Sequence, residues 1–199
     1  VSLDALRKTL ISVTERQMDE QRDLNQKVLN MCSNKPVGAT ETAFCDIKDV
    51  DELQRVASAI AEHLPNSAYV ALEGELGAGK TTFVKAIAAA ADIDPSHITS
   101  PTFNLITIHE SPENSLRIVH ADMYRVSDPE ELIEMGWDTA LAAPSGYRCW
   151  AFIEWPQKIA SALPAHRLNI KLEVTGETRR RLIIKGTGTI YKQIPKIFF

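Results

Sequence analysis

No apolar run in this chain of 199 residues approaches the ~20 positions that a membrane-crossing helix requires, so no membrane association is expected. Val1–Leu10 is not expected to be a signal peptide, because Asp4, Arg7 and Lys8 interrupt its apolar pattern. The chain starts at Val1 without an initiator Met, which suggests a trimmed or incomplete start. There is no Cys-x-x-Cys pair. The three cysteines, Cys32, Cys45 and Cys149, are scattered, which removes zinc-ribbon and thioredoxin-like readings and makes a reduced, cytoplasmic setting the default expectation. A basic excess is also lacking. With 22 Lys and Arg against 26 Asp and Glu, the net charge of −4 argues against a surface that grips nucleic acid phosphates broadly, and leaves a local basic patch open. What remains, 44% hydrophobic and 24% charged residues, is the composition of one ordinary globular domain with a short extra segment.

Residues 1–34 are expected to form a long helix. Leu3, Leu6, Leu10 and Val13 make an apolar stripe that Leu24, Val28 and Met31 resume, with Gln17 and Glu20 interrupting it. The stripe suits a self-associating coiled-coil seam, a helix packed on the neighbouring domain, or a frayed extension. The segment Ser33–Gly38 reads as a linker, so residues 1–40 form a helical extension and linker, 41–190 the main domain and 191–199 a tail. Within the main domain, strands are expected at Ala43–Ile47, Ala68–Glu73, Phe103–His109, Leu116–Ala121, Cys149–Ile153, Arg167–Thr175 and Arg179–Lys185. Asp49 with Glu52 opens a helix whose apolar face runs from Val50 to Leu64, and further helices are expected at Lys80–Ala91 and around Pro129–Met135. Strands and helices interleaved in this way indicate an α/β fold.

The sequence Gly74-Glu75-Leu76-Gly77-Ala78-Gly79-Lys80-Thr81 satisfies G-x-x-x-x-G-K-[ST] in full. Glycines allow backbone N–H groups to wrap a phosphate with no side chain in the way, and the helix that follows directs the positive end of its dipole at the anion. In such a loop Gly77, Ala78, Gly79 and Thr82 frame the phosphates, Lys80 reaches the terminal ones, and the Thr81 hydroxyl ligates magnesium. An apolar strand precedes the motif and a helix follows it, as the chemistry demands. A glycine turn that only joins strand to helix has no use for a lysine and two hydroxyls at the helix start.

Phosphoryl chemistry also needs carboxylates near the metal. Asp122 follows the apolar strand Leu116–Ala121, and Glu154 follows Trp150–Ile153, so both stand where open α/β sheets place ligands. Thr102, in Ser100-Pro101-Thr102, is either part of a plain turn or a switch residue reaching the metal or γ-phosphate. Trp155 can stack on a base or simply pack. His120 reads as a core residue or a support for the site. The run Arg179-Arg180-Arg181 reads as a solvated face from which one arginine could reach phosphate. An N-K-x-D motif after the loop, a D-x-x-G switch and an LSGGQ signature are all absent, which favours adenine over guanine and excludes an ABC-type ATPase.

Four blocks carry a family resemblance: Gly74 through Thr82, Thr99-Ser100-Pro101-Thr102-Phe103, His120-Ala121-Asp122-Met123-Tyr124-Arg125 and Ile153-Glu154-Trp155-Pro156. Together, over about residues 43–186, they resemble the TsaE (YjeE) family, small ATPases of tRNA threonylcarbamoyladenosine (t6A) biosynthesis. The resemblance implies a P-loop NTPase-like three-layer sandwich with a central mixed sheet. It implies a cytoplasmic protein that binds ATP and Mg2+ and hydrolyses ATP to drive turnover of a complex of TsaD-like and TsaB-like partners, meeting tRNA mainly through them. By match, Lys80 and the loop backbone hold phosphates, Thr81 and Glu154 resemble the magnesium ligands, and Asp122 takes the Walker-B-like role. Thr102 resembles the switch threonine, Trp155 is similar to the tryptophan near the nucleotide, and Arg179 falls roughly where the family has a hairpin arginine. Residues 1–40 and Tyr191–Phe199 lie outside the resemblance, and Glu75 stands where Asp is common. Two other readings of the same residues are a small-molecule kinase and a switch that binds nucleotide without hydrolysing it.

Overall fold

The structure, a computed structural model, describes residues 42–102 and 104–198, together with Arg16 and the strand residues Cys32–Asn34. The helix expected over residues 1–34 therefore lies outside the described residues for the most part. Within that range Arg16 is helical, whereas Cys32–Asn34 is extended as β1 and pairs antiparallel with β2 (Thr42–Ile47), so the helix expectation does not hold at Cys32–Asn34. Cys45 is disulfide-bonded, which corrects the expectation of uniformly reduced cysteines, while Cys149 is a free thiol.

Next come α1 (Val50–Ala61), β3 (Ser67–Glu73), α2 (Lys80–Ala90), β4 (Ile106–Ser111), β5 (Leu116–Asp122), α3 (Glu131–Glu134), α4 (Trp137–Leu141), β6 (Arg148–Glu154), β7 (Arg167–Val174) and β8 (Arg180–Thr187). Every strand expected from the sequence is present. The expected helix near Pro129–Met135 is a single turn, followed by a second short helix that the sequence did not separate from it. The strands form one mixed sheet in the order β1-β2-β8-β7-β3-β6-β5-β4. Its centre, β7-β3-β6-β5, is parallel, and the flanking strands run antiparallel. Parallel neighbours need crossovers: α2 lies in the long connection from β3 to β6 and the α3–α4 segment in the one from β5 to β6, while α1 joins β2 to β3.

The alternation of side chains along each strand divides the core into two layers. Val70 and Leu72 of β3, Ile118 of β5, Trp150 and Phe152 of β6 and Ile170 of β7 face α1 and α2, where they meet Leu53, Val56, Phe83 and Ile87. The intervening residues Val119, Ala121, Ala151 and Ile153 face the other way, toward Leu132, Ala140 and Ile159. The result is the expected three-layer α/β sandwich. Asp49 caps α1 by accepting from the Glu52 N–H at 2.8 Å, while the Glu52 carboxylate accepts from the Lys48 N–H at 2.7 Å.

The segment read as a tail is part of the core. Residues Tyr191–Phe198 form a 3-10 helix whose Tyr191, Ile194 and Phe198 are buried in the α1–α2 layer. On the β7 side, the ladder of β3 begins only at Val70. Below that point the Tyr191 hydroxyl accepts from the Tyr69 N–H at 3.0 Å and donates to the Ser67 carbonyl at 3.4 Å, and so takes the place of a strand.

Candidate functional site

The same alternation that builds the core assembles the site. Leu72 faces the α1–α2 layer, and the loop that follows β3 turns over the carboxyl ends of the parallel strands before α2 begins at Lys80. On β5, Ile118 faces that layer, so His120 and Asp122 do too. On β6, Trp150 and Phe152 face it, and Glu154 is next in phase. Register places Asp122 directly opposite Glu154. Two strand ends thus present carboxylates beneath the first turn of one helix.

Gly77 (φ 77°) and Gly79 (φ 104°) adopt left-handed backbone that a side chain would strain, and Gly79 is the N-cap of α2. At Gly74 a β-carbon would come within 2.8 Å of the Leu172 carbonyl oxygen, so glycine is also required by the close approach of β7. The first turn of α2 therefore offers unpaired N–H groups to an open cleft of about 220 Å³.

Lys80, Asp122 and Glu154 all line this cleft although each is at most 5% exposed. The Lys80 ammonium donates to the Gly74 carbonyl at 2.8 Å and the Glu75 carbonyl at 3.1 Å, and stands 3.8 Å from Glu154 Oε2. It also lies 4.6 Å from the centre of the Trp155 ring. Glu154 Oε1 accepts from the Thr81 hydroxyl at 3.1 Å and from His120 Nε2 at 2.8 Å. A carboxylate only accepts, so the ring proton belongs on Nε2, and His120 Nδ1 is left buried with no partner. Asp122 Oδ2 accepts from the Thr102 hydroxyl at 2.9 Å, and Oδ1 from the Tyr124 N–H at 2.9 Å. Ser100 and Thr102 share a hydrogen bond of 2.8 Å.

Two buried carboxylates thus face one buried ammonium. Excess negative charge, flanked by the hydroxyls of Thr81 and Thr102, is an all-oxygen donor set that suits a hard divalent cation such as magnesium.

Of the residues singled out in the sequence, Gly77, Gly79, Lys80, Thr81, Thr82, Thr102, Asp122, Glu154 and Trp155 come together around the cleft. Ala78 is in the loop, but its side chain points into the core. Trp155 takes left-handed backbone (φ 55°), unusual for so large a residue, and its ring meets Tyr124 with centroids 5.0 Å apart. The indole lies beside the Lys80 ammonium and lines the cleft. Arg179 is exposed in the β7–β8 turn and does not line the cleft. Its neighbour Arg180 meets the loop instead, with Nε donating to the Ala78 carbonyl at 3.0 Å. Sequence reasoning missed this, although Arg180 is in phase with the inward-facing Leu182 and Ile184.

Comparison with known proteins places the chain in a family. The family model described as threonylcarbamoyl adenosine biosynthesis protein TsaE matches residues 47–182, which hold every residue of the cleft. A relative from Rickettsia typhi, named tRNA threonylcarbamoyladenosine biosynthesis protein TsaE, is 34% identical over 140 residues, covering 70% of this chain and 92% of its own length. A relative of the same name from Bacillus subtilis is 31% identical, over 72% of this chain and 85% of its own. The crystal structure of Bacillus subtilis YdiB superposes with a TM-score of 0.60 at 24% identity, over 81% of this chain and 96% of that one, a likeness of fold. With a family match across more than half its length and relatives of this similarity, the chain belongs to the TsaE family.

Proposed function

We propose that this protein is a magnesium-dependent ATPase that sustains the turnover of a TsaD–TsaB complex in t6A modification of tRNA. The observation that carries the proposal is the convergence of Lys80, Thr81, Asp122 and Glu154 under the first turn of α2. Thr81 and Glu154 would hold the metal, and Asp122 would support it from the adjacent strand end. Magnesium, when bound, supplies charge neutralisation at the phosphates.

The chain's own groups do the rest. The loop backbone and the α2 amides bind phosphate, and Lys80 neutralises the terminal phosphates. Thr102, held by Asp122, senses the terminal phosphate through its hydroxyl. His120 keeps Glu154 turned toward Thr81. The net negative charge of the chain fits a protein that reaches tRNA through partners.

The test is a reconstituted t6A reaction with TsaD, TsaB, tRNA and a threonylcarbamoyl donor. Wild-type protein should give many modified tRNAs per complex, and Lys80→Ala should hold the reaction near one round. Repeated rounds with Lys80→Ala would overturn the proposal. Equal support from ATP and a non-hydrolysable analogue would assign the switch reading in its place.

A further inference from the structure

Five backbone carbonyls converge on one guanidinium. Arg180, the first residue of β8, donates from Nε to the Ala78 carbonyl at 3.0 Å and from Nη2 to the Gly77 carbonyl at 3.4 Å. Its Nη1 serves the Gly176, Glu177 and Arg179 carbonyls at 3.1, 3.3 and 2.8 Å. The first two acceptors belong to the phosphate loop and the other three to the β7–β8 turn. Among the described residues no carboxylate pairs with Arg180, so its donors are spent on holding backbone.

The consequence follows from the geometry of the peptide unit. There are no cis peptide bonds among the described residues, and in a trans peptide C=O and N–H point in opposite directions. Drawing the Ala78 carbonyl toward β8 therefore turns the Gly79 N–H away from β8, on the side where the first amides of α2 are also unpaired. The Ala78 N–H is already committed to the Glu75 carbonyl at 3.1 Å, so the Gly79 amide is the one that this arrangement sets free.

We infer that Arg180 is a positioning residue for the phosphate loop: it fastens the outer carbonyls of the loop to the β7–β8 turn and thereby aims the Gly79 amide at bound phosphate. The inference rests on the nucleotide reading of the loop. Arginine suits the task because its planar fork reaches two turns at once, whereas the single ammonium of lysine does not.

The test uses the full chain with ADP as probe, by calorimetric titration, alongside amide hydrogen exchange of the free protein. Arg180→Ala should weaken ADP binding by about tenfold, and Arg180→Lys should recover only a small part of it. Added guanidinium chloride, in the low millimolar range, should restore ADP binding to Arg180→Ala but not to Lys80→Ala, with sodium chloride at equal ionic strength restoring neither. Without nucleotide, amides at 77–80 should exchange faster in Arg180→Ala while those of β3 and α1 keep their protection. Unchanged ADP affinity in folded Arg180→Ala, or exchange at 77–80 equal to wild type, overturns the inference. Should Arg180→Ala fail to fold, Arg180→Lys keeps the charge and the stem and is judged by the same two readouts. Normal ADP binding by Lys80→Ala overturns the nucleotide reading itself, and exchange in the free protein still decides the role of Arg180.

Discussion

The two ends of strand β3 solve opposite problems. At its carboxyl end the chain buries Lys80, Asp122, Glu154 and His120 within a few ångströms of each other, around a cleft open to solvent. At its amino end Tyr191 satisfies the backbone of Ser67 and Tyr69, Trp150 donates to the Pro65 carbonyl at 2.9 Å, and Ile194 and Phe198 complete the core. Charges kept out of water cost stability unless well paired, and the first end leaves one carboxylate more than its ammonium can match. The second end contains none of that cost. One end is built to receive something, and the other to hold the sheet together.

This division can be broken by single substitutions. The largest effect is expected from Phe198→Ala, which empties a fully buried aromatic site and should cost about 3–5 kcal/mol of unfolding free energy in a urea titration. Nucleotide affinity measured on the folded fraction should not change. Lys80→Ala should lower nucleotide affinity by about 100-fold, or ~2.7 kcal/mol, and should also cost stability, because it leaves the buried Glu154 carboxylate without its ammonium. If each substitution moved both quantities alike, the ends of β3 would not be separable.

Tyr191→Phe keeps the ring and removes the hydroxyl. It should cost about 1–2 kcal/mol through the two backbone groups left unpaired, again without effect on nucleotide binding. The smallest effect concerns His109 on the edge strand, which belongs to neither end. Burial, reinforced by the neighbouring His120, holds its imidazole below the ordinary histidine range. A group whose folded pKa is depressed favours the folded state while neutral, and this contribution is lost as pH falls through the folded value. Unfolding free energy should therefore decline on mild acidification in wild type, Lys80→Ala and Phe198→Ala alike, and decline less in His109→Gln.

The candidate site was legible in the sequence to the extent that spacing fixes position. The glycine spacing of 74–79, set between an apolar strand and a helix, pointed to a phosphate loop, and carboxylates one step beyond apolar strands were expected at the carboxyl edge of the sheet, where Asp122 and Glu154 stand. Thr102 and His120 were ambiguous because their roles depend on which neighbour the fold supplies. Asp122 and Glu154 are those neighbours, and they are distant in sequence from Thr102 and His120 respectively. Which arginine of the run meets the loop was not legible, because Arg179, Arg180 and Arg181 are chemically identical and only the phase of β8 distinguishes the one that faces inward. The buried carboxy-terminal segment did carry a periodic signal, because Tyr191, Ile194, Pro195 and Phe198 repeat at i, i+3, i+4 and i+7. Pro195 inside so short a stretch argues against a helix, so 191–198 looked like a tail. The second short helix, Trp137–Leu141, was hidden behind Gly136, which ends one turn and starts the next.

The sheet order also has a consequence for the birth of the molecule on the ribosome. β2 precedes the phosphate loop in the chain, yet its partner on the central side is β8, and β3 is flanked by β6 and β7. None of these partners exists while β3 and the loop are emerging. The Tyr191 hydroxyl that completes β3 is supplied later still. Contacts so distant in sequence form slowly, and they close only after most of the chain is available. A nascent chain arrested before Arg180 thus carries the complete phosphate-binding motif while β2 and β7 lack β8, so a nucleotide-competent loop is expected only once translation has passed the last strand.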